Sequence, residues 1–345
     1  MKRSPQSGSS LAEALAGLLV GLAVTIVVLE VFAGTEAIKR NAVGLADAQQ
    51  AGATSLFTLA VELANAGHGI APAAHELATC PDSGDIATTL RPIPVLITAG
   101  RAADAPDAFV VNYGVGTALA TPAPFATAAP TGSAYRVAAP TGFAAGDAIV
   151  AIGPDGHCAA GTAVAVSSPD ADGVVEIVRT DASDAFPAAA VLLDLGPKGR
   201  VARLRYDVVD GALRSLDLAT PGATPNPLAS NIVAMKLQYG IDSDDDGFLD
   251  NWFAASAAPW DPPTVLAAPA ATLARIKAVR LGLIARSETF DGGVTSPFHW
   301  VLFDCPEQDK ARCPGRLSGA LPANWRYRVY ETVIPLRNAI WNARP

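Results

Sequence analysis

From Leu11 to Gly34 the chain is almost wholly apolar, interrupted only by Glu13 and Glu30. The uncharged run Ala14 to Leu29, with its flanks, makes a helix just long enough to cross a hydrocarbon core of about 30 Å. Beyond Gly34 the apolar residues thin to a stripe. Ala37, Ile38, Leu45, Ala48, Leu56, Leu59, Val61 and Leu63 recur mostly three or four residues apart, which lines one face of a helix. Asn65-Ala66-Gly67 then reads as a stop signal. The pattern predicts one helix over 9–66, transmembrane over about 11–34. At its full length it spans roughly 85 Å.

After residue 67 the period changes. Short apolar or alternating runs stand between Gly, Pro and Asp turns at Ala108–Tyr113, Tyr135–Ala138, Ala148–Ile152, Ala163–Ser167 and Val174–Arg179. That spacing predicts β-structure. Val201–Val208 and Ala212–Leu218 flank Asp210-Gly211, a two-residue hairpin signal. Ile232–Tyr239, Ile276–Arg286 and Tyr327–Pro335 are further strands. Residues 68–106 read as loop-rich, and 117–145, rich in Ala, Thr, Pro and Gly, as irregular. The fold class is therefore α+β, a long N-terminal helix packed on a β-rich antiparallel head over 67–345. Within the head we expect an irregular insertion at about 115–195 and an Asp-rich loop at 242–250.

Hydrophobic residues make up 50% of the chain but aromatics only 6%, so small-residue packing must carry much of the core. The formal net charge is −8 and no Lys/Arg cluster occurs, which removes nucleic acid as a direct partner. No GxSxG, GxxxxGK[ST], strand-linked GxGxxG or HExxH motif occurs. His68, His75, His157 and His299 lack an acid and a nucleophile at a telling spacing, so the chain reads as no enzyme. Cys80, Cys158, Cys305 and Cys313 form no CxxC pair. In an exported chain an even count reads as two disulfides. Cys305 and Cys313 could close a small loop and leave Cys80 with Cys158, although three pairings are open.

Residues 1–8, MKRSPQSG, carry Lys2 and Arg3 on the short side of the apolar run, which places them in the cytoplasm. Three readings of this terminus compete: a secretory signal cut near Ala33, a plain anchor, and a signal cut before the apolar run. Glu13 separates them. A carboxylate in a membrane helix costs roughly 2.5–3.5 kcal/mol at mid-span and less toward the ends. An ordinary signal or anchor has no use for it. Gly17 and Gly21 share its helix face and would let another helix approach closely.

The segment Gly8-Ser9-Ser10-Leu11-Ala12-Glu13 resembles the prepilin peptidase site, where cleavage follows Gly and Glu is fifth in the mature chain. Cleavage after Gly8 would make Ser9 the first residue, where the family usually has Phe. The resemblance implies N-methylation of Ser9 and pairing of Glu13 with a neighbouring subunit's amine. Inside a dry bundle such charges are tolerable only when they meet. Three further stretches resemble the PilW family of type IV pilus minor pilins. They are Leu59 to Gly67, a leucine-rich turn ending in Ala-Gly; Val279-Arg280 to Arg286-Ser287, of the form VRxxLxxRS; and Thr332-Val333-Ile334-Pro335-Leu336-Arg337-Asn338, a TVxLRN-like close. The family implies a helix held in the inner membrane, a periplasmic head, and later extraction into an extracellular filament or its tip. Implied partners are the prepilin peptidase, other minor pilins, the major pilin and a PilY-type tip adhesin. Implied functions are priming of assembly, twitching and adhesion. The nearest alternative is a J-type pseudopilin of type II secretion, which shares the LRN ending. An alternative of another class is a membrane-anchored extracytoplasmic binding protein or enzyme.

Asp242-Ser243-Asp244-Asp245-Asp246-Gly247-Phe248-Leu249-Asp250 follows DxDxDGxxD. A hard cation takes six to eight oxygens. Asp242, Asp244 and Asp246 alternate, Gly247 permits the turn, the Phe248 carbonyl offers a main-chain oxygen and Asp250 another ligand. The match to a calcium-binding loop breaks at the twelfth position, Phe253, so a further acid such as Asp261 would have to reach in. PilW-like sequences often carry an Asp-rich loop after a segment like Tyr239-Gly240-Ile241-Asp242. The expectation is a structural calcium ion; a solvated acidic turn is the alternative.

Overall fold

The computed structural model describes residues 11–70, 93–102, 104–116, 122–131, 133–138, 142–155, 157–180, 184–197, 200–220, 222–291, 293–304 and 315–340. Gly8, Ser9, Cys80, Cys305 and Cys313 lie outside them.

Helix α1 (Leu11–Asn65) is continuous over 55 residues. Its first 26, Leu11–Glu36, are long and apolar enough to cross a membrane, and none of that stretch is buried among the described residues. Leu11, Leu18, Leu22, Val28 and Phe32 all stand exposed. The second half behaves differently. Gly44, Ala48, Gly52, Ser55, Leu59, Leu63 and Ala66 are buried, at steps of three and four that keep them on one face. The upper part of this stripe is small for a reason. A Cβ on Gly44 would meet Thr289 Oγ1 at 3.0 Å, and one on Gly52 would fall on the ring of Tyr330. Tyr330 in turn donates its hydroxyl to the Gln49 carbonyl at 3.0 Å. On an adjacent face Glu62 accepts the Tyr113 hydroxyl at 2.8 Å. Burial first and Glu62 second push the Tyr113 phenol far above its usual range, so it stays a donor.

The helix stops where the sequence says. Gly67 takes a left-handed φ of 77°, and its N–H donates to the Asn112 carbonyl at 2.8 Å. The last carbonyls of a helix lack intrahelical partners. Asn338 supplies them, its amide donating to Asn65 O at 3.3 Å and Ala66 O at 3.1 Å.

The head follows as β1 (Val95–Thr98), β2 (Ala108–Tyr113), β3 (Ala123–Pro124), β4 (Ala134–Ala138), β5 (Asp147–Ile152), β6 (Cys158–Val166), β7 (Val174–Arg179), β8 (Val191–Pro197) and β9 (Ala202–Val209). It continues with β10 (Ala212–Asp217), β11 (Asn226–Ser230), β12 (Ile232–Ile241), β13 (Asn251–Ala254), the short helices α2 (Pro262–Ala267) and α3 (Ala270–Ala274), β14 (Ile276–Arg286), β15 (Phe298–Leu302), β16 (Leu317–Leu321), β17 (Tyr327–Pro335) and α4 (Arg337–Ile340). Two sheets receive α1: β13-β12-β14-β17 and β1-β2-β9-β10-β11. Their shared core takes Leu59 and Leu63 from the helix, Met235, Leu237 and Tyr239 from β12, and Val279, Leu281 and Leu283 from β14. The opposite face of the first sheet is also covered, as Ala234 and Ile284 pack with Trp300 and Leu302 of the hairpin β15-β16. Covering on both faces explains why β12 and β14 are buried almost end to end rather than alternately. Asp210 and Gly211, at φ 51° and 74°, form the β9–β10 turn expected of that dipeptide.

Within 115–195, expected as an irregular insertion that contains a few short strands, the described residues form one β-sheet, β3-β8-β5-β6-β7-β4. Its two end strands meet through the bridge Phe125–Val137, and Ala126 N–H donates to the Arg136 carbonyl at 2.7 Å. These contacts close the sheet into a small barrel. Its interior holds Phe125, Tyr135, Ile149, Ile177 and Phe186 beside Ala151, Ala159, Ala163 and Ala190. A narrow closure needs small inward residues, and those alanines supply them. Outward residues Val150, Ile152 and Leu195 pack with Ile70, just past the end of α1. The barrel therefore sits at the end of the helix remote from its apolar half.

Candidate functional site

The Asp-rich loop joins β12 to β13, and both of its ends are tied to the sheet. Asp242 N–H donates to the Arg275 carbonyl and Asp250 N–H to Ile241, each at 3.0 Å. Asp242 is fully buried. Its Oδ2 accepts the Gly247 N–H at 3.0 Å and lies 3.6 Å from Lys277 Nζ. Its Oδ1 is buried with no hydrogen-bond partner. Burial alone would raise the Asp242 pKa. The Gly247 amide and the Lys277 charge outweigh it, so the carboxyl sits below its ordinary range and is ionised at neutral pH.

Asp242, Asp244 and Asp250 each bring a carboxylate oxygen to within 4.8 Å of the others. Such a cluster suits a hard cation: three anionic carboxylates converge, and the buried one, Asp242, keeps one oxygen, Oδ1, without a hydrogen-bond partner. Leaving a buried carboxylate oxygen unpaired costs about 1–3 kcal/mol or more, and a cation would remove that cost. Two other acids named from the sequence, Asp246 and Asp261, do not join these three. Asp246 Oδ1 accepts the Phe248 N–H at 2.8 Å, shaping the turn. The Phe248 ring stands in solvent, so only its main-chain carbonyl could serve a cation. Asp261, named as a source of the missing acid, precedes α2 without capping it; its Oδ1 is buried and unpartnered, apart from the group of three. Asp245, at φ 63°, turns outward to a bidentate pair with Arg275. Lys277 and Arg275 were not visible as part of this loop in the sequence, since the β12–β14 pairing is what brings them there.

At the other end of the molecule Glu13 lies in the first turn of α1. A Cβ on Gly17 or Gly21 would meet nothing within 4 Å, so this face is an open notch. Thr25 bonds back to the Gly21 carbonyl at 2.8 Å and spends its hydroxyl within the helix. Cys158 is disulfide-bonded; its partner lies outside the described residues, and the pairing stays open.

The three head motifs acquire physical roles. Val279 and Leu283 are fully buried core positions, and Leu336 is nearly so. Arg280 lies between the rings of Trp252 and Phe303, and Arg286 lies over Trp325. Ser287 Oγ accepts the Arg326 N–H at 3.2 Å. Asn338 caps α1, as described above. All of these residues hold α1 and the β17 region onto one sheet.

A helix with a bare apolar first half, its second half docked through small residues on an antiparallel β head, defines a pilin-like architecture. Residues 207–338, which span β10 to β17 and the Asp-rich loop, match the model of a family described as Type IV Pilus-assembly protein W. No curated protein matches the chain. Among solved structures, a type IV-like pilin from Thermus thermophilus is similar at 19% identity, over 41% of this chain and 70% of that one, with a TM-score of 0.25.

Proposed function

We propose that this chain is a minor pilin, a structural subunit that primes assembly of a type IV pilus and carries no catalytic activity. The observation that carries the reading is the family match over the very sheet that clasps α1, joined to a helix whose apolar half finds no cover among the described residues. That half waits in the inner membrane as a single span with the head in the periplasm, and then moves into the filament core. Prepilin peptidase cuts after Gly8, Ser9 becomes the methylated terminus, and Glu13 meets the terminal amine of a neighbouring pilin. The partners are other minor pilins, the major pilin and a PilY-type adhesin. The barrel at the membrane-distal end of α1 favours a place at the fibre tip, where no subunit stacks above it. Twitching and adhesion follow from the fibre.

Glu13→Ala tests this. The variant should accumulate in the membrane at the wild-type level but fall at least tenfold in sheared fibres, measured by immunoblot of both fractions, because an unpaired amine is costly in a dry bundle. Equal incorporation would refute the pairing role. A mature chain starting beyond Gly34 would refute the pilin reading itself.

We further propose that the loop binds calcium through Asp242, Asp244 and Asp250, with Asp246 and the Phe248 carbonyl closing the shell as the loop tightens. The unpartnered Asp242 Oδ1 supports this. Any ion that binds only the folded state adds about 2.7 kcal/mol at a hundredfold excess over its Kd. The melting midpoint in calcium should therefore lie roughly 5 °C above that in chelator. Coincident midpoints, with no metal found by elemental analysis, would show a solvated turn.

A further inference from the structure

We infer that Lys277 is a built-in competitor of the cation in the Asp242 loop, holding the empty loop together and setting a high calcium threshold for its filling. The inference rests on the metal reading above. It starts from a backbone irregularity. On β12 and β14, Gly240 pairs with Ala278, and Ile241 pairs with Ile276, so Lys277 has no partner across the ladder. It is the extra residue of a bulge, and a bulge turns the side chain it carries away from its regular direction. Here the extra side chain reaches Asp242, 3.6 Å from Oδ2.

Three facts make this placement more than packing. Lys277 is largely buried, with 11% of its side chain exposed, and Asp242 is more so at 1%, so salt and water screen the pair poorly. Asp242 is its sole ion-pair partner among the described residues. The ammonium approaches one oxygen of that carboxylate, Oδ2, while Oδ1 stays without a hydrogen-bond partner and the carboxylate itself belongs to the group formed with Asp244 and Asp250. Lys277 and a divalent ion thus act on one and the same buried acid. Without metal, the lysine keeps Asp242 from standing as a lone buried charge. With metal, its positive charge repels the ion across that shared carboxylate. Affinity falls, and the loop fills only where calcium is abundant, as outside the cell. Arg275 is placed differently. It pairs with Asp245, outside the group, and both side chains are exposed (40% and 58%), so water and salt screen its field at Asp242 and Asp244.

The test uses the full chain in detergent micelles. Calcium chloride is titrated by calorimetry, and melting is followed in calcium and in chelator for wild type, Lys277→Met and Lys277→Arg. The methionine variant should bind calcium about tenfold more tightly, one poorly screened charge having been removed beside a divalent ion. It should melt lower than wild type in chelator and recover in saturating calcium. Lys277→Arg, which keeps the charge, should keep the wild-type affinity. Lys277→Gln stands in if the methionine variant does not fold. A lysine that merely packs would give the same melting loss with and without calcium and an unchanged affinity, and that result overturns the proposal. A wild-type chain that takes up no calcium would overturn the metal reading, and this inference with it.

Discussion

Gly52→Leu should undock the lower half of α1 from the head, at a cost of about 3 kcal/mol. The space for a side chain at this position is already filled by the Tyr330 ring. That ring cannot swing aside freely, because its hydroxyl is held by the Gln49 carbonyl at 3.0 Å on the same helix. The helix must therefore lift away from β17. Lifting exposes Ala48, Leu59 and Leu63, which are buried to 0% exposure, and each buried leucine contributes about 1.5–3 kcal/mol. Urea unfolding of the detergent-solubilised chain, followed by tryptophan fluorescence, measures the loss. Gly34→Ala is the control, since a Cβ there meets nothing within 4 Å and alanine is the better helix former. An unchanged midpoint for Gly52→Leu would mean that α1 does not seat on Tyr330.

This stripe also shows what could be read before the fold was known. The stop at Gly67 follows from local chemistry, as do the Asp210-Gly211 turn and the strands with runs of β-branched residues, and all of them are present. Helix Ala48, Leu59 and Leu63 were visible as periodic apolar positions. Gly44, Gly52 and Ser55 were not, because a small residue carries no hydrophobic signal and marks a contact only once its neighbour is known. The barrel escaped for a related reason. Four of its strands were legible as short runs, but its closure depends on Phe125 meeting Val137, a contact between strand ends that no local window contains. In the acidic loop, spacing picked out Asp242, Asp244 and Asp250, which converge. It also picked out Asp246, which instead bonds the Phe248 amide within the turn. Lys277 could not be foreseen, because the bulge that aims it exists only in the pairing of β12 with β14.

Arg280→Ala should cost about 2–4 kcal/mol, from the slot it empties and the buried acceptor it leaves unpaired. Arg280 is 6% exposed. Its guanidinium lies 4.9 Å from the Trp252 ring centroid and 4.5 Å from that of Phe303. Its Nε donates to Gln238 Oε1 at 2.7 Å, and Gln238 Nε2 donates onward to the Gly315 carbonyl at 2.7 Å. Truncation empties the slot between two rings and strips Gln238 Oε1 of its donor in a site that water does not reach. The loss then spreads, because Phe303 is also held by Glu331 of β17, which accepts its N–H at 3.0 Å. A planar, weakly hydrated fork fits a stacked slot where a compact ammonium does not. Arg280→Lys should therefore recover less than half of the loss although it restores the charge. Arg280→Met, which refills the slot with apolar volume, should do at least as well as lysine. Urea midpoints for the three variants decide this. Full rescue by lysine would show that the charge near Glu331, and not the stacked plane, is what the sheet requires. A loss below about 1 kcal/mol for alanine, the size of an ordinary exposed pair, would show that Arg280 is not structural at all.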